Sequence, residues 1–183
     1  VGNGTAGNFV AVDGDTYTAD ITPTADGAVT VDVAAAVAED AAENDNTAAI
    51  QLSRVYDNTI PTVSMAAPGV GIVQANAVSF SLSGACSENG RAVSLNATSS
   101  AGGAAVVAAP NCNAGAWNAS LNMSGLNDGT VTVTANHEDT VGLDAVQASR
   151  AVSKETSVAS VSISSSLTSP TEETTIPIVV QFS

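Results

Sequence analysis

Apolar and polar residues alternate with period two along most of the chain, the pattern that puts every second side chain on one face of an extended strand. In Thr16-Tyr17-Thr18-Ala19-Asp20-Ile21-Thr22, the side chains of Tyr17, Ala19 and Ile21 share a side. Pro23-Thr24-Ala25-Asp26-Gly27 has turn chemistry, and Ala28-Val29-Thr30-Val31-Asp32-Val33 alternates again. A strand, a tight turn and a strand are predicted here, with a further strand before them at residues 7–12 and one after them at 51–56. Residues 34–42, rich in Ala with Glu39 and Asp40, are read as at most a single helical turn.

The middle of the chain repeats this logic with clearer punctuation. Residues 62–65, 77–82 and 92–95 alternate, Pro68-Gly69 and Asn89-Gly90 turn, and residues 117–121 and 130–135 supply later strands around Asn127-Asp128-Gly129. A last strand is predicted at 145–152. Six or seven short strands within about 95 residues is the signature of a two-sheet sandwich. Pro61 pushes Ile60 toward extended geometry, so residues 57–61 read as a linker.

The tail, residues 158–183, carries two β-branched runs, one through Val161 and Ile163 and one through Ile176, Ile178, Val180 and Phe182, separated by a Ser/Thr/Pro/Glu stretch. It reads as the opening strands of a β-domain, whereas residues 1–50 read as the closing strands of one. Neither set buries its apolar side alone, and unpaired sheet edges invite another chain. The expected organisation is therefore the C-terminal part of one domain at 1–57, a complete sandwich at 58–156, and opening strands at 157–183. A polar hinge followed by an alternating strand recurs at 57–65 and 154–163, a spacing that suits sandwich modules in tandem.

Composition narrows the class further. Apolar residues make up 44% but aromatics only 3%, so most of the apolar content is Ala and Val and the cores must be thin. With the usual helix formers scarce, an all-β chain follows. Eighteen acidic residues against four basic ones give a net charge of −14, which repels nucleic acid and anionic membrane surfaces. No apolar run is long enough to cross a membrane as a helix, and no basic, apolar leader opens the sequence, so any export signal or anchor is expected outside it.

Candidate chemistry is sparse. Cys86 and Cys112, flanked by small polar residues, read as an oxidised pair in a secreted protein, the alternative being two buried free thiols. Trp117 reads as the plug of the sandwich core, with sugar stacking as its rival role. The oxygen-rich run containing Asp40, Asn44, Asp45 and Asn46 offers enough donors for calcium on an adaptable loop, or else is an Asx-rich surface turn. Asp57 and the His137-Glu138-Asp139 cluster are weaker candidates of the same kind. One histidine, no nucleophile elbow and adjacent carboxylates that point apart leave an enzyme without machinery. The alternating positions of Phe9, Tyr17, Tyr56, Phe80, Trp117 and Phe182 favour cores over binding faces.

At these residues the chain resembles the bacterial immunoglobulin-like repeats found in tandem in large surface and secreted adhesins. The segment from Tyr17 to Gly27, with Val29-Thr30-Val31-Asp32-Val33 and the later Asp40 to Ala48, is similar to the second half of one such repeat; the segment from Ser169 to Ser183 is similar to its first half. The middle unit resembles a sister module through Gly84-Ala85-Cys86-Ser87-Glu88-Asn89-Gly90, Asn111 to Trp117 and Ser124 to Thr130. The family's usual Asp-x-Ala-Gly-Asn turn appears as Asp40-Ala41-Ala42-Glu43-Asn44 and, in the middle unit, as Asp139 to Asp144, a departure that puts any function tied to that turn in question. The resemblance implies a non-catalytic, extracellular or cell-surface stalk, whose partners are copies of itself or adjacent repeats. Two forms of that idea stand together: subunits joined head to tail through a strand donated by Ile176, Ile178, Val180 and Phe182, and a slice of one giant tandem chain. A rival class is a ligand-binding module that recognises glycan or host protein through loops of the middle domain.

Overall fold

The period-two pattern becomes antiparallel ladders along nearly its whole length in the computed structural model, which describes residues 1–169 and 172–183. Pro170 and Thr171, in the Ser/Thr/Pro/Glu stretch of the tail, lie outside the described residues. The chain divides into two units, residues 1–60 with 139–143 and residues 61–138 with 144–183.

The second unit contains β5 (Ile72–Val73), β6 (Phe80–Ala85), β7 (Val93–Ser99), β8 (Val106–Ala108), β9 (Ala116–Leu121), β10 (Gly129–His137) and β11 (Ala148–Glu155), preceded in the chain by β1 (Gly4–Ala11), β2 (Tyr17–Pro23), β3 (Gly27–Val31) and β4 (Leu52–Tyr56) of the first unit. One sheet runs β5-β11-β10-β7-β8; the other pairs β6 with β9. Residues 62–66 add to β6, with Ser64 N–H donating to Ala85 O and Ala66 N–H to Ser83 O, both at 2.9 Å. Alternation sets the inner faces: Val131, Val133 and Ala135 of β10 are 0% exposed, in one core with Phe80, Leu82, Trp117 and Leu121 of the facing sheet. Small side chains such as Ala97 and Ala135 keep this core thin, and the indole of Trp117 fills its width. Trp117 Nε1–H donates to Ser64 O at 3.0 Å, so the buried polar end of the ring is satisfied. Only glycine fits at Gly84, where a Cβ would overlap Ser64 O and lie 2.7 Å from Trp117 Nε1.

This unit also carries a hairpin of its own, β12 (Val161–Ser164) paired antiparallel with β13 (Val179–Phe182). All eight of its strand residues are exposed.

The first unit has β1 (Gly4–Ala11) paired with β2 (Tyr17–Pro23) and β3 (Gly27–Val31) paired with β4 (Leu52–Tyr56). The two pairs are joined by reciprocal hydrogen bonds between Gly2 and Thr30. A register shift between Gly7 and Val10 bends β1, with Asn8 in the left-handed region. Val29 is the sole buried apolar residue of this unit among the described residues.

The expectation of an all-β chain holds, and the middle forms an immunoglobulin-like sandwich. Several details differ. Residues 34–42 form turns and no helical turn, because Asn46 turns its side chain back onto Ala34, Val37 and Ala38 and fixes the backbone there. The short β5 and β8 went unpredicted, being too brief to show a period. Ile176 and Ile178 precede β13 and lie outside its ladder. Of the six aromatics expected in cores, only Phe80 and Trp117 are there; Phe9, Tyr17 and Phe182 are exposed, because the strands that carry them have no second sheet over them.

Candidate assembly surfaces

The cysteines and the histidine of the middle sandwich serve its structure. Cys86 and Cys112 form a disulfide across a sequence separation of 26, tying the end of β6 to the loop after β8. His137, fully buried at the end of β10, accepts the Glu88 N–H at Nε2 (3.0 Å). Its Nδ1 therefore carries the proton and faces Ala92 O, also at 3.0 Å, so the ring pins the loop between β6 and β7 to the sheet at two points.

The Asx turns seen in the sequence have a repeated geometry. Asp40 Oδ1 accepts the N–H groups of Ala42 and Asn44, and Asp40 N–H donates to Asn44 O. Asp139 does the same with Val141, Leu143 and Leu143 O. Each loop thus has the Asp at its first position and a left-handed residue at its fourth, Glu43 (φ +64°) and Gly142 (φ +93°). The departure from the family's turn sequence leaves the turn intact. Of the four candidate calcium ligands, Asp40 and Asn44 meet side chain to side chain at 3.0 and 3.2 Å, the Asn44 amide donating to the carboxylate. Asn46 directs its oxygen to Val37 and Ala38 N–H groups, and Asp45 is exposed beside a backbone bridge to Glu39. The donated N–H groups hold the Asp40 carboxyl below the ordinary value, the Asn44 side chain contributing most. Among the described residues, no group of three or more His, Cys, Asp or Glu side chains is placed to hold a metal ion.

A second repeated device was not anticipated. Asp128, in the turn before β10, accepts the Lys154 ammonium at 2.7 Å, the Thr156 hydroxyl at 2.7 Å and N–H at 3.0 Å, and the Ser157 hydroxyl at 3.0 Å. Lys154, first among these in effect, then Thr156 and Ser157 hold the carboxyl well below the usual carboxylate range. Asp26 stands at the equivalent place before β3, accepting the Asn58 N–H at 2.8 Å and the Thr59 hydroxyl, with its acidity raised by the Thr59 bond first. The register confirms the equivalence: Gly27 lies opposite Tyr56, as Gly129 lies opposite Lys154. Both carboxylates clasp the chain where it leaves the last strand. The recurrence of Asp-Gly before an alternating run was the available signal.

The same register shows what the first unit lacks. Val29 and Val31 of β3 correspond to Val131 and Val133 of β10. In the middle sandwich these positions are sealed; in the first unit Val31 is half-buried and Val33 is 50% exposed. A groove of about 250 Å³ opens here, lined by Ile21, Pro23, Val29, Val31, Leu52 and Tyr56, with Arg54 beside them. Elsewhere on this unit Phe9 of β1 stacks on Tyr17 of β2, ring centroids 5.4 Å apart. The tail hairpin is the other unsealed face. Val161 lies opposite Phe182 and Ile163 opposite Val180, so all four share one face, while Ser162 and Gln181 share the other. Phe182 is 74% exposed. Of the four expected donor residues, Val180 and Phe182 thus belong to this face, and Ile176 and Ile178 are exposed ahead of it.

Two sheets packed face to face, antiparallel except for the short parallel β5–β11 pair, with a cross-tied disulfide and a central Trp, define the class as an immunoglobulin-like β-sandwich. Residues 1–56 match the family model of a bacterial Ig-like domain. The fold is similar to that of a crystal structure of a tetra-tandem repeat in the extending region of a large adhesion protein, with a TM-score of 0.51 and 19% identity. That match covers 99% of this chain and 55% of the other, so this chain spans about half the length of that structure. No curated protein matches the sequence. The resemblance read from Tyr17 to Gly27 and its neighbours is borne out by these findings.

Proposed function

We propose that this chain is a non-catalytic structural module of a bacterial extracellular adhesin stalk or fibre. Residues 58–156 form a complete sandwich, and the strands of 1–57 and 157–183 are halves of further sandwiches, each completed by a neighbour placed head to tail. That neighbour is either the adjoining repeat of a long tandem chain or a second copy that donates its tail strands. The observation that carries this reading is the contrast between β10, sealed by a facing sheet, and its counterpart β3, where Val31 is only half-buried and an apolar groove lies open. The likeness to a tandem repeat of a large adhesion protein supports the setting, and repeated clasps at Asp26 and Asp128 support a modular role in bearing load. Recognition of glycan or host protein by loops of the middle unit draws no support here, since its two aromatics, Phe80 and Trp117, are buried.

The test is the size and morphology of the purified chain, by light scattering and negative-stain microscopy, beside a variant lacking residues 171–183. Concentration-dependent chains or fibres that vanish with the truncation are expected of subunit assembly. A stable monomer in both cases assigns completion to the adjoining repeat of a longer polypeptide, and ordered, sealed halves in the isolated monomer would sink the complementation idea altogether.

A further inference from the structure

We infer that the apolar groove of residues 1–60 is filled by the β12–β13 hairpin of a second copy of this chain, docked face-on as a preformed two-stranded sheet and not added as a single strand at a sheet edge. This rests on the assembly reading above and specifies its partner and geometry.

The first argument is that β13 is already paired. Its four residues are matched one to one with β12, Val179 to Phe182 against Ser164 to Val161. Adding β13 alone to another sheet edge would break this ladder, whereas docking the hairpin keeps it. The pairing also creates what a lone strand lacks, a face two strands wide made of Val161, Ile163, Val180 and Phe182. Its reverse side is mostly polar, with Ser162, Ser164 and Gln181 and one valine, Val179.

The second argument names the occupant. In the middle sandwich the strand equivalent to β3 is sealed by a sheet that begins with residues 62–66 and β6. Those residues follow the clasped pair Asn58 and Thr59, just as β12 follows the clasped pair Thr156 and Ser157. Met65 lies six positions beyond Thr59, and Ile163 lies six positions beyond Ser157. Met65 is buried in the core; Ile163 is 69% exposed. The hairpin is therefore the same opening element without its opposite sheet, and the groove is the same closing element without its cover.

Area and charge agree. Four side chains of this size present on the order of 400 Å² of apolar surface, the upper range that a monomer leaves bare. With the groove, the buried total approaches about 1,000 Å², the lower bound of a specific interface. Arg54, the only basic residue of 1–60, lines the groove, and the only charged residues of 158–183 are Glu172 and Glu173, between the two hairpin strands.

The experiment locks the hairpin. In the full 183-residue chain, Ser162→Cys with Gln181→Cys joins a directly opposed pair on the polar face, so that oxidation prevents β13 from leaving β12. Mass is followed against concentration by light scattering, beside Phe182→Asp and Leu52→Asp. The expected result is that the oxidised, locked chain assembles as the wild type does, while each Asp variant weakens association at least tenfold with the far-UV spectrum unchanged. Loss of assembly on locking, restored by reduction, would overturn face-on docking and leave head-to-tail strand donation standing. Assembly untouched by both Asp variants would overturn the groove as the site. A wild type that stays monomeric at every concentration would remove the second copy as occupant, and with it subunit assembly. A Leu52→Cys, Phe182→Cys chain that cross-links only within itself on dilution would assign the groove to its own hairpin and likewise overturn the proposal.

Discussion

Glu43 occupies the left-handed position, φ +64°, that Gly142 occupies at φ +93° in the equivalent loop after β10. Both residues sit three places after an aspartate that closes the turn, Asp40 in one case and Asp139 in the other. A residue with a Cβ costs about 1–2 kcal/mol in this conformation, and glycine does not. Glu43→Gly is therefore expected to stabilise the first unit by about 0.5–1 kcal/mol after the extra chain entropy of glycine is subtracted. A urea melt followed by Tyr fluorescence reads this, and a lower midpoint would show that the loop is not under strain.

Gly84 tests the packing around Trp117. Because an added Cβ meets both Ser64 O and the indole nitrogen, Gly84→Ala must push the 62–66 segment off β6 or the ring out of the core. The cost is expected to be about 3 kcal/mol, at the upper end for overpacking. Loss of near-UV Trp ellipticity and a fall in melting temperature are the readouts; an unchanged melt would mean that segment 62–66 contributes little.

The disulfide stabilises a core with two aromatics. Closing a loop of this separation contributes about 3 kcal/mol on the chain-entropy model. Cys86→Ala with Cys112→Ala should lower the unfolding midpoint of the middle sandwich by that amount and leave the 1–60 unit unaffected. Two-probe melts, Trp117 for the middle and Tyr17 with Tyr56 for the first unit, separate the two.

Acid should loosen the clasps. Asp128 is held well below the ordinary aspartate value of 3.8 by Lys154, then by Thr156 and Ser157, while in the unfolded chain these partners are lost. A carboxyl with a depressed folded value contributes stability that is fully present above the unfolded value and is lost as pH falls below it. Asp26 and Asp40 carry shifts of the same sign. Stability is thus expected to be flat above about pH 5 and to decline progressively below pH 4. Asp128→Asn should lower the neutral-pH midpoint and flatten that decline in the middle sandwich; a decline as steep as in the wild type would show that the clasp is not its source.

Much of this was written in the order of residues. Alternation at Val29 and Val31, or at Val131 and Val133, fixes which side chains share a face, because a strand has only two faces and a buried one must be apolar. Asn89-Gly90 and Asp128-Gly129 mark turns by their backbone freedom, and two cysteines in a small-residue setting announced their pairing. The all-β class followed from these local rules. What local rules cannot supply is whether a face is covered. Val31 and Val133 have nearly the same neighbours in sequence, yet one is only half-buried beside an open groove and the other is sealed, since burial depends on a sheet contributed from far along the chain. Likewise Asp26 and Asp128 read as ordinary turn residues until the ladders bring Asn58, Thr59, Lys154 and Thr156 to them. Period and turn chemistry are properties of a few consecutive residues and are determined by sequence alone; cover, clasp and groove are relations between distant segments, and only the packed chain decides them.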